Sequence, residues 1–208
     1  MTILCELADK HQTDKGGRST TYGGVPGDTC HNYTPAYHAM LGDRRETVAR
    51  VLEVGVNAGS SLRMWEEYFP AATIVGLDIR REVLFTAGRV QCHYADQGCR
   101  QSLLDAVAAA GGGPFDLIVD DGSHEDHHQI TTAEALLPLL APGGVFVIED
   151  ISVDCRPEML AERIHVPAGF GWRAVECGIG IGKARCRPGC EYCAGLAGES
   201  LIVFERRQ

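Results

Sequence analysis

The sequence predicts an α/β fold: a doubly wound, mostly parallel sheet of seven strands, an antiparallel last strand, and a short helical N-terminal extension. Three observations predict it. Apolar runs of five to seven residues alternate with helical stretches along residues 51–164, as successive strand–helix–strand units do. Two of these runs, Leu117-Ile118-Val119-Asp120 and Val145-Phe146-Val147-Ile148, stop abruptly in polar residues, as buried strands do where they open into a site. The last two strands, near 172–177 and 201–205, have no helix between them, which makes a hairpin and one reversed strand.

The elements follow in order. Residues 3–12 set Ile3, Leu4, Leu7 and Ala8 on one helical face. Residues 13–34 are rich in Gly, Thr, Ser and Asp and read as a long loop of the lid or binding kind. Residues 37–45 are helical, with Pro35 near the start. Strands are then expected at 51–55, 72–78, 90–94, 115–120 and 144–149. Helices are expected at 60–68, 81–87, 101–110, 126–140 and 157–164. The whole chain, 1–208, reads as one domain, with 1–45 as an N-terminal helix and lid segment and 178–199 as a Cys-rich hairpin insertion.

Bulk composition excludes several classes. A chain of 208 residues with 45% hydrophobic and 23% charged residues suits one globular domain with a full core. Its net charge of −9 argues against a nucleic-acid partner or an anionic membrane surface. No apolar run reaches the ~18–20 residues of a membrane span, and residues 1–10 lack the basic and apolar regions of a leader. Nine cysteines in such a chain point to reduced thiols or a metal site, and to the cytoplasm. The sequence is compatible with a homo-oligomer.

Chemistry gathers at the strand ends. Glu53-Val54-Gly55-Val56-Asn57-Ala58-Gly59-Ser60 forms the first strand-to-helix turn. Glycine there permits close approach of a ligand to backbone N–H groups. The dinucleotide fingerprint wants glycine where Asn57 and Ser60 stand, which counts against NAD. Asp78 ends the second strand, where a carboxylate suits ribose hydroxyls. Asp96-Gln97 follows the third, placed for an adenine edge. The fourth strand ends in Asp120-Asp121-Gly122-Ser123-His124 and the fifth in Glu149-Asp150. Side by side in a parallel sheet, Asp121, Glu149 and Asp150 offer hard oxygen ligands suited to Mg²⁺ or Mn²⁺. His124 is then the candidate general base. The competing readings are helix capping at Asp121, a solvated strand end at Glu149-Asp150, and a turn hydrogen bond at His124. His127 and His128 read as surface residues of the next helix.

These motifs together resemble those of the class I S-adenosylmethionine-dependent methyltransferases, which have a Rossmann-like sheet. Glu53-x-Gly55-x-x-x-Gly59, Asp78, Asp96-Gln97, Asp120 and Leu140-Ala141-Pro142-Gly143-Gly144 fall where that family's motifs fall. More narrowly the chain is similar to the metal-dependent sugar O-methyltransferases of macrolide and related antibiotic biosynthesis. His31-x-Tyr33 with Tyr37, Ser61-Leu62-Arg63-Met64-Trp65 with Tyr68-Phe69-Pro70, Asp120-Asp121-Gly122-Ser123-His124 and Glu149-Asp150 carry that likeness. The resemblance implies that Glu53, Gly55, Asn57, Gly59 and Ser60 line the methionine part of the cofactor. Asp78 would hold the ribose, Asp96 and Gln97 the adenine, and Asp120 the cofactor side of its strand end. Tyr33 and Lys15 would close over the cofactor.

The function expected is Mg²⁺- and S-adenosylmethionine-dependent methylation of a hydroxyl on a glycosylated small molecule, with Asp121 and His124 catalytic. The alternatives are methylation of a catechol-like phenol, a NAD-linked or nucleotide-sugar oxidoreductase on a similar sheet, and a non-catalytic binding module. Separately, Cys186-x3-Cys190-x2-Cys193 has the spacing of the iron–sulfur motif of radical enzymes, although it lies late, in a hairpin. Structural Zn²⁺ with Cys177 as the fourth thiolate, or plain free thiols in a glycine-rich loop, are the other readings.

Overall fold

The structure is a computed structural model that describes residues 1–16, 21–22, 25–26, 31–151, 156–178 and 199–207. Helix α1 (Ile3–His11) starts at Thr2, whose hydroxyl accepts from the Cys5 N–H. It stops at Gln12, in the left-handed region at φ 56°. Thr21–Tyr22 (β1) and Val25–Pro26 (β2) pair antiparallel. Helix α2 (Thr34–Leu41) follows, with proline in its first turn.

The main sheet comprises β3 (Arg50–Val54), β4 (Thr73–Asp78), β5 (Thr86–Ala87), β6 (Val90–Tyr94), β7 (Phe115–Asp120), β8 (Leu140–Ile148), β9 (Phe170–Gly178) and β10 (Glu199–Arg206). Between them run α3 (Ser60–Tyr68), α4 (Arg100–Ala109), α5 (Asp126–Leu136) and α6 (Pro157–Ala161). The strand order is β5-β6-β4-β3-β7-β8-β10-β9. Strands β3, β4, β6, β7 and β8 are parallel, and β10 enters antiparallel between β8 and β9. The chain walks outward from β3 through β4 to β6, then returns to place β7 on the other side of β3. That reversal leaves a crevice at the carboxyl ends of β3 and β7.

Side chains alternate across the sheet, so each strand feeds two cores. Val51, Ile74, Leu117, Val119, Val145, Val147 and Val203 face the N-terminal helices and α3, burying Leu4, Leu7, Tyr37, Leu41, Trp65 and Tyr68. Leu52, Val75, Leu77, Ile118, Phe146, Ile148 and Phe204 face the other way, against Leu103, Val107, Ala133, Leu136 and Leu160. The doubly wound architecture expected from the sequence is present, and the N-terminal extension forms part of one layer.

The helix expected over 37–45 spans Thr34–Leu41, the one expected over 157–164 stops at Ala161, and the expected 13–34 loop holds the β1–β2 pair. Two further departures are larger. The helix expected over 81–87 is only a 3-10 turn, Arg81–Val83, and the chain then pairs Thr86–Ala87 antiparallel with β6, adding an eighth strand. Gly88 turns the corner at φ +56°, and the Arg89 N–H donates to Glu66 Oε1 at 2.6 Å. The helix expected over 126–140 ends at Leu136, where Pro138 forces a 3-10 turn. Cys186, Cys190 and Cys193, and most of the 178–199 insertion, lie outside the described residues. Cys177 is buried at the end of β9, its Sγ directed to the Val175 carbonyl at 3.7 Å.

Candidate active site

The crevice is built first from backbone. Gly55 leaves β3 at φ +101°, and a Cβ there would stand 1.9 Å from the Asp121 carbonyl oxygen. Only glycine lets the β3 turn and the β7 exit pass at that distance. The Gly55 N–H donates to Leu77 O at 2.8 Å and the Asp121 N–H to Val54 O at 2.9 Å, locking three strand ends together. Gly59, at φ +72°, starts α3.

Asp78 braces the same turn. Its Oδ2 accepts from the N–H groups of Val56 at 2.9 Å and Asn57 at 3.3 Å, and its Oδ1 from Arg80 N–H at 2.8 Å. Burial pushes this carboxyl up, but the backbone donors outweigh it and hold Asp78 below the usual carboxylate range. Gln97 links two strand exits: its Nε2 donates to Asp120 Oδ1 at 2.7 Å and its Oε1 accepts from Ser123 N–H at 2.9 Å. Burial raises the Asp120 carboxyl to about 7.

A cavity of about 880 Å³ opens over these ends. Gly55, Asn57 and Ser60 line it at the first turn, Asp78 at the second strand, and Asp96 and Gln97 at the third. Asp121, His124 and Asp150 line its far side. Of the other residues singled out by sequence, Glu53, Gly59, Asp120, Glu149, Lys15 and Tyr33 do not line it. All but Gly59 are buried polar groups behind its wall.

Asp121, His124 and Asp150 converge, each offering one ligand atom within 4.8 Å of the others. His124 and Asp150 both adopt left-handed backbone, at φ 61° and 48°. Such conformations persist where the surroundings over-determine them, often at functional sites. His124 Nε2 lies 3.8 Å from Asp150 Oδ2, and its side chain is 42% exposed, so a ligand in the cavity can reach it. Tyr33 OH donates to Asp150 Oδ1 at 2.7 Å, and His31, stacked on Tyr33 at 5.1 Å, brings Nδ1 to 3.3 Å from the same oxygen. The two carboxylates on this wall offer oxygen donors that fit a hard divalent cation, with the imidazole beside them.

Glu149 behaves differently from its neighbour. Its Oε1 accepts from Tyr37 OH at 2.5 Å and its Oε2 from Lys15 Nζ. Lys15, expected near the cofactor, is instead inserted among Glu53, Asp121 and Glu149. Burial alone would discharge this ammonium, but the three carboxylates outweigh it and raise its pKa well above the ordinary value. Burial likewise pushes Glu149 and Glu53 upward. Trp65 Nε1 donates to Glu53 Oε2 at 2.6 Å.

Sequence reasoning gave no role to Tyr37, Trp65 or His128. Tyr37 and Trp65 stand in the family-like segments quoted above, which was the available signal. His128 lines the cavity, its Nδ1 sharing a 2.7 Å hydrogen bond with Ser123 Oγ.

Comparison with known proteins finds relatives of one kind. Residues 52–151 match the methyltransferase domain family. The chain is 35% identical over 161 residues to the 8-demethyl-8-alpha-L-rhamnosyl tetracenomycin-C 2'-O-methyltransferase of Streptomyces olivaceus, covering 74% of this chain and 39% of that one. It is 37% identical over 155 residues to the mycinamicin VI 2''-O-methyltransferase of Micromonospora griseorubida, covering 71% and 36%. The solved MycE methyltransferase of the mycinamycin pathway, in complex with Mg, SAH and mycinamycin VI, superposes with a TM-score of 0.58 at 37% identity, over 72% of this chain and 39% of that one. The chain thus spans 36–39% of the length of the curated relatives named here. Residues 52–151 thus match a methyltransferase domain, within a chain that is similar over 71–74% of its length to sugar O-methyltransferases of antibiotic biosynthesis.

Proposed function

We propose that the chain is an S-adenosylmethionine- and Mg²⁺-dependent O-methyltransferase acting on a hydroxyl of a glycosylated natural product. One observation carries the reading: Asp121, His124 and Asp150 converge on the wall of the same cavity whose other side presents Asp78, Asp96 and Gln97. A nucleoside-bearing methyl donor and a polar acceptor would then share one space.

The proposed division of labour follows from position. Gly55, Asn57 and Ser60 present the β3 turn to the methionine part of the cofactor, with Glu53 and Gly59 supporting that turn from behind. Asp78 faces the ribose, and Asp96 and Gln97 the adenine, with Asp120 holding Gln97 in place. S-adenosylmethionine supplies an electrophilic methyl on sulfur, and a divalent ion supplies Lewis acidity toward a sugar hydroxyl. Asp121 and Asp150 would hold the ion together with Glu149, which stands behind them at the same strand end. Tyr33 and His31 fix the Asp150 carboxylate. His124, exposed to the cavity, takes the proton that the hydroxyl loses. The donor set of oxygens favours Mg²⁺, with Mn²⁺ as a substitute. Relatives that act on sugars of a tetracenomycin and a mycinamicin support a sugar-bearing small molecule as acceptor.

No helix among the described residues is long and apolar enough to cross a membrane. A cytoplasmic setting goes with the thiols of Cys5, Cys92 and Cys99, which form no disulfide. All strand ends used belong to one sheet, so we read 1–208 as one methyltransferase domain.

Calorimetry tests the cofactor. S-adenosylhomocysteine should bind and NAD should not; the reverse would make the chain an oxidoreductase. Methyl transfer from S-adenosylmethionine to macrolide or rhamnosyl glycosides should require Mg²⁺ and stop with chelator. Turnover of a catechol but of no glycoside would replace the acceptor class.

A further inference from the structure

Among the described residues five carboxylates line the cavity: Asp14, Asp78, Asp96, Asp121 and Asp150. Four of them are engaged. Asp78 accepts from the N–H groups of Val56, Asn57 and Arg80, and Asp96 Oδ1 from the Gly98 N–H at 2.9 Å. Asp121 meets the Lys15 ammonium at 2.5 Å, and Asp150 takes the Tyr33 hydroxyl at 2.7 Å. The Arg80 guanidinium, also on the wall, turns to Asp78, with Nε 3.5 Å from Oδ1. Asp14 differs. Its side chain accepts no hydrogen bond and joins no ion pair among the described residues, and it acts on the Lys15 ammonium only through space. A half-buried anion without a partner is costly, and a cation in the cavity would compensate it.

The chain fixes Asp14 without using its side chain. Gln12 ends α1 in left-handed backbone, and the Thr13 N–H donates to Ala8 O at 3.1 Å. On the other side the His31 N–H donates to Asp14 O and the Tyr33 N–H to Lys15 O, each at 2.8 Å. Residues 12–14 thereby run between two landmarks. Helix α1 packs on α3, whose first residues Ser60 and Ser61 line the methionine side of the cavity. His31 stands 3.3 Å from Asp150 Oδ1 and Lys15 reaches Asp121, both on the acceptor side. A methyl group handed from one side to the other starts on a sulfur that lies between them.

We infer that Asp14 is a specificity-determining residue that faces the sulfonium of the methyl donor, so that the site holds S-adenosylmethionine in preference to S-adenosylhomocysteine. The inference rests on the cofactor reading proposed above and goes beyond it. Donor and product share the nucleoside, the ammonium and the carboxylate. They differ by one methyl and one positive charge, so Asp78, Asp96 and Gln97 meet the same groups in both. A carboxylate beside the sulfur tells them apart by Coulomb attraction in a partly enclosed site. In the transfer the C–S bond breaks with its electron pair left on sulfur, the acceptor oxygen supplies the pair of the new C–O bond, and His124 takes the hydroxyl proton. The positive charge on sulfur is gone at the end, and the hold of Asp14 goes with it. Because that attraction is strongest before transfer, it lowers the donor KM and does not raise kcat.

Calorimetry on the full chain, without acceptor, tests this with three probes: S-adenosylmethionine, S-adenosylhomocysteine and sinefungin, which carries an ammonium in place of the methylated sulfonium. Asp14→Asn should weaken both cationic ligands about 5-fold, the scale of one partly exposed charge pair, and leave S-adenosylhomocysteine unchanged. Added salt should narrow the parent's preference and not the variant's. Asp14→Glu, which keeps the charge, should keep the preference. With a glycoside acceptor, Asp14→Asn should raise the donor KM without lowering kcat. Its thermal unfolding should match the parent's, since the side chain carries no bond of the fold; Asp14→Ser is the second variant should the Asn protein not fold. An unchanged ratio of donor to product affinity overturns the inference. So does an equal loss for all three ligands, which would move Asp14 to the methionine ammonium. A raised acceptor KM at constant donor affinity also overturns it and would move Asp14 to the sugar. A parent that binds none of the three overturns the cofactor reading itself, a different failure.

Discussion

On the β3–β4–β6 side of the cavity the wall is largely backbone; on the β7–β8 side it is side chains drawn from far apart in the chain. The first side is held by N–H groups of the Gly55–Gly59 turn and by the Asp78 carboxylate that braces it from 21 and 22 residues away. The second joins Lys15 to Asp121 across 106 residues, Tyr37 to Glu149 across 112, and Tyr33 to Asp150 across 117. A cofactor with an unchanging nucleoside suits a wall fixed by one braced backbone turn. An acceptor site that must gather charge suits side chains, because only they bring several carboxylates and an imidazole to one place. The two sides should therefore fail separately, and the sharpest tests are those that damage one and spare the other.

The largest effect is expected at Asp121. Asp121→Asn keeps the shape of the β7 exit but removes a charged oxygen ligand and a partner of Lys15. Loss of metal assistance amounts to several kcal/mol of transition-state stabilisation, so turnover should fall by about 10³-fold or more. Calorimetric affinity for S-adenosylhomocysteine should stay at the parent's value. An active Asp121→Asn enzyme would remove the metal from the acceptor side.

His124→Ala comes next. The imidazole is exposed to the cavity and lies beside Asp150, and loss of a general base lowers turnover by on the order of 10²–10⁴. Mn²⁺ stoichiometry and cofactor affinity should not move. If Mn²⁺ binding disappears instead, His124 is a ligand and the proton goes elsewhere.

The difference between the sides also explains what was legible in the sequence. Each cofactor-side residue sits within a few positions of a strand end, so strand, glycine turn and helix could be read as a local pattern. Asp121, His124 and Asp150 were legible for the same reason. The packing of Lys15 was not legible, because its neighbours are fixed by contacts more than 100 residues away. A lysine in a polar N-terminal loop carries no local mark of burial. The stretch 81–87 failed differently. Its composition allows a helix, but the Gly88 corner and the Glu66 acceptor for Arg89 favour an edge strand.

A smaller effect, on the other side, is expected from Asp78→Asn. The amide replaces one acceptor oxygen with a donor that faces backbone N–H groups. Hydrogen bonds to a charged group contribute about 1.5–3 kcal/mol, so S-adenosylhomocysteine affinity should weaken on the order of 10- to 100-fold. The pH dependence has a definite sign. Asp78 is held below the usual carboxylate range in the fold, so the stability it contributes is fully present above its unfolded pKa of about 3.9 and is lost as pH falls from there through the lower folded value. Acid unfolding of the parent should show that loss and the variant should show less of it, while Mn²⁺ binding stays intact. Equal acid limbs in the two proteins would refute the brace.

The smallest expected effect tests whether the two sides are separate at all. His128 lies on α5, pairs with Ser123 Oγ, and lines the cavity. Ser123 N–H in turn holds Gln97 Oε1, and Gln97 Nε2 holds Asp120, next in sequence to Asp121. A line of hydrogen bonds therefore runs from His128 through Ser123 and Gln97 to Asp120, beside the Asp121–His124–Asp150 cluster. His128→Ala removes the outermost of these bonds, about 0.5–1.5 kcal/mol, a few-fold change. Because Ser123 would loosen toward both neighbours, cofactor affinity and turnover should fall together and by similar factors. A fall in affinity alone would place His128 wholly with the backbone-built side, and the boundary between the two would lie between Gln97 and Asp121.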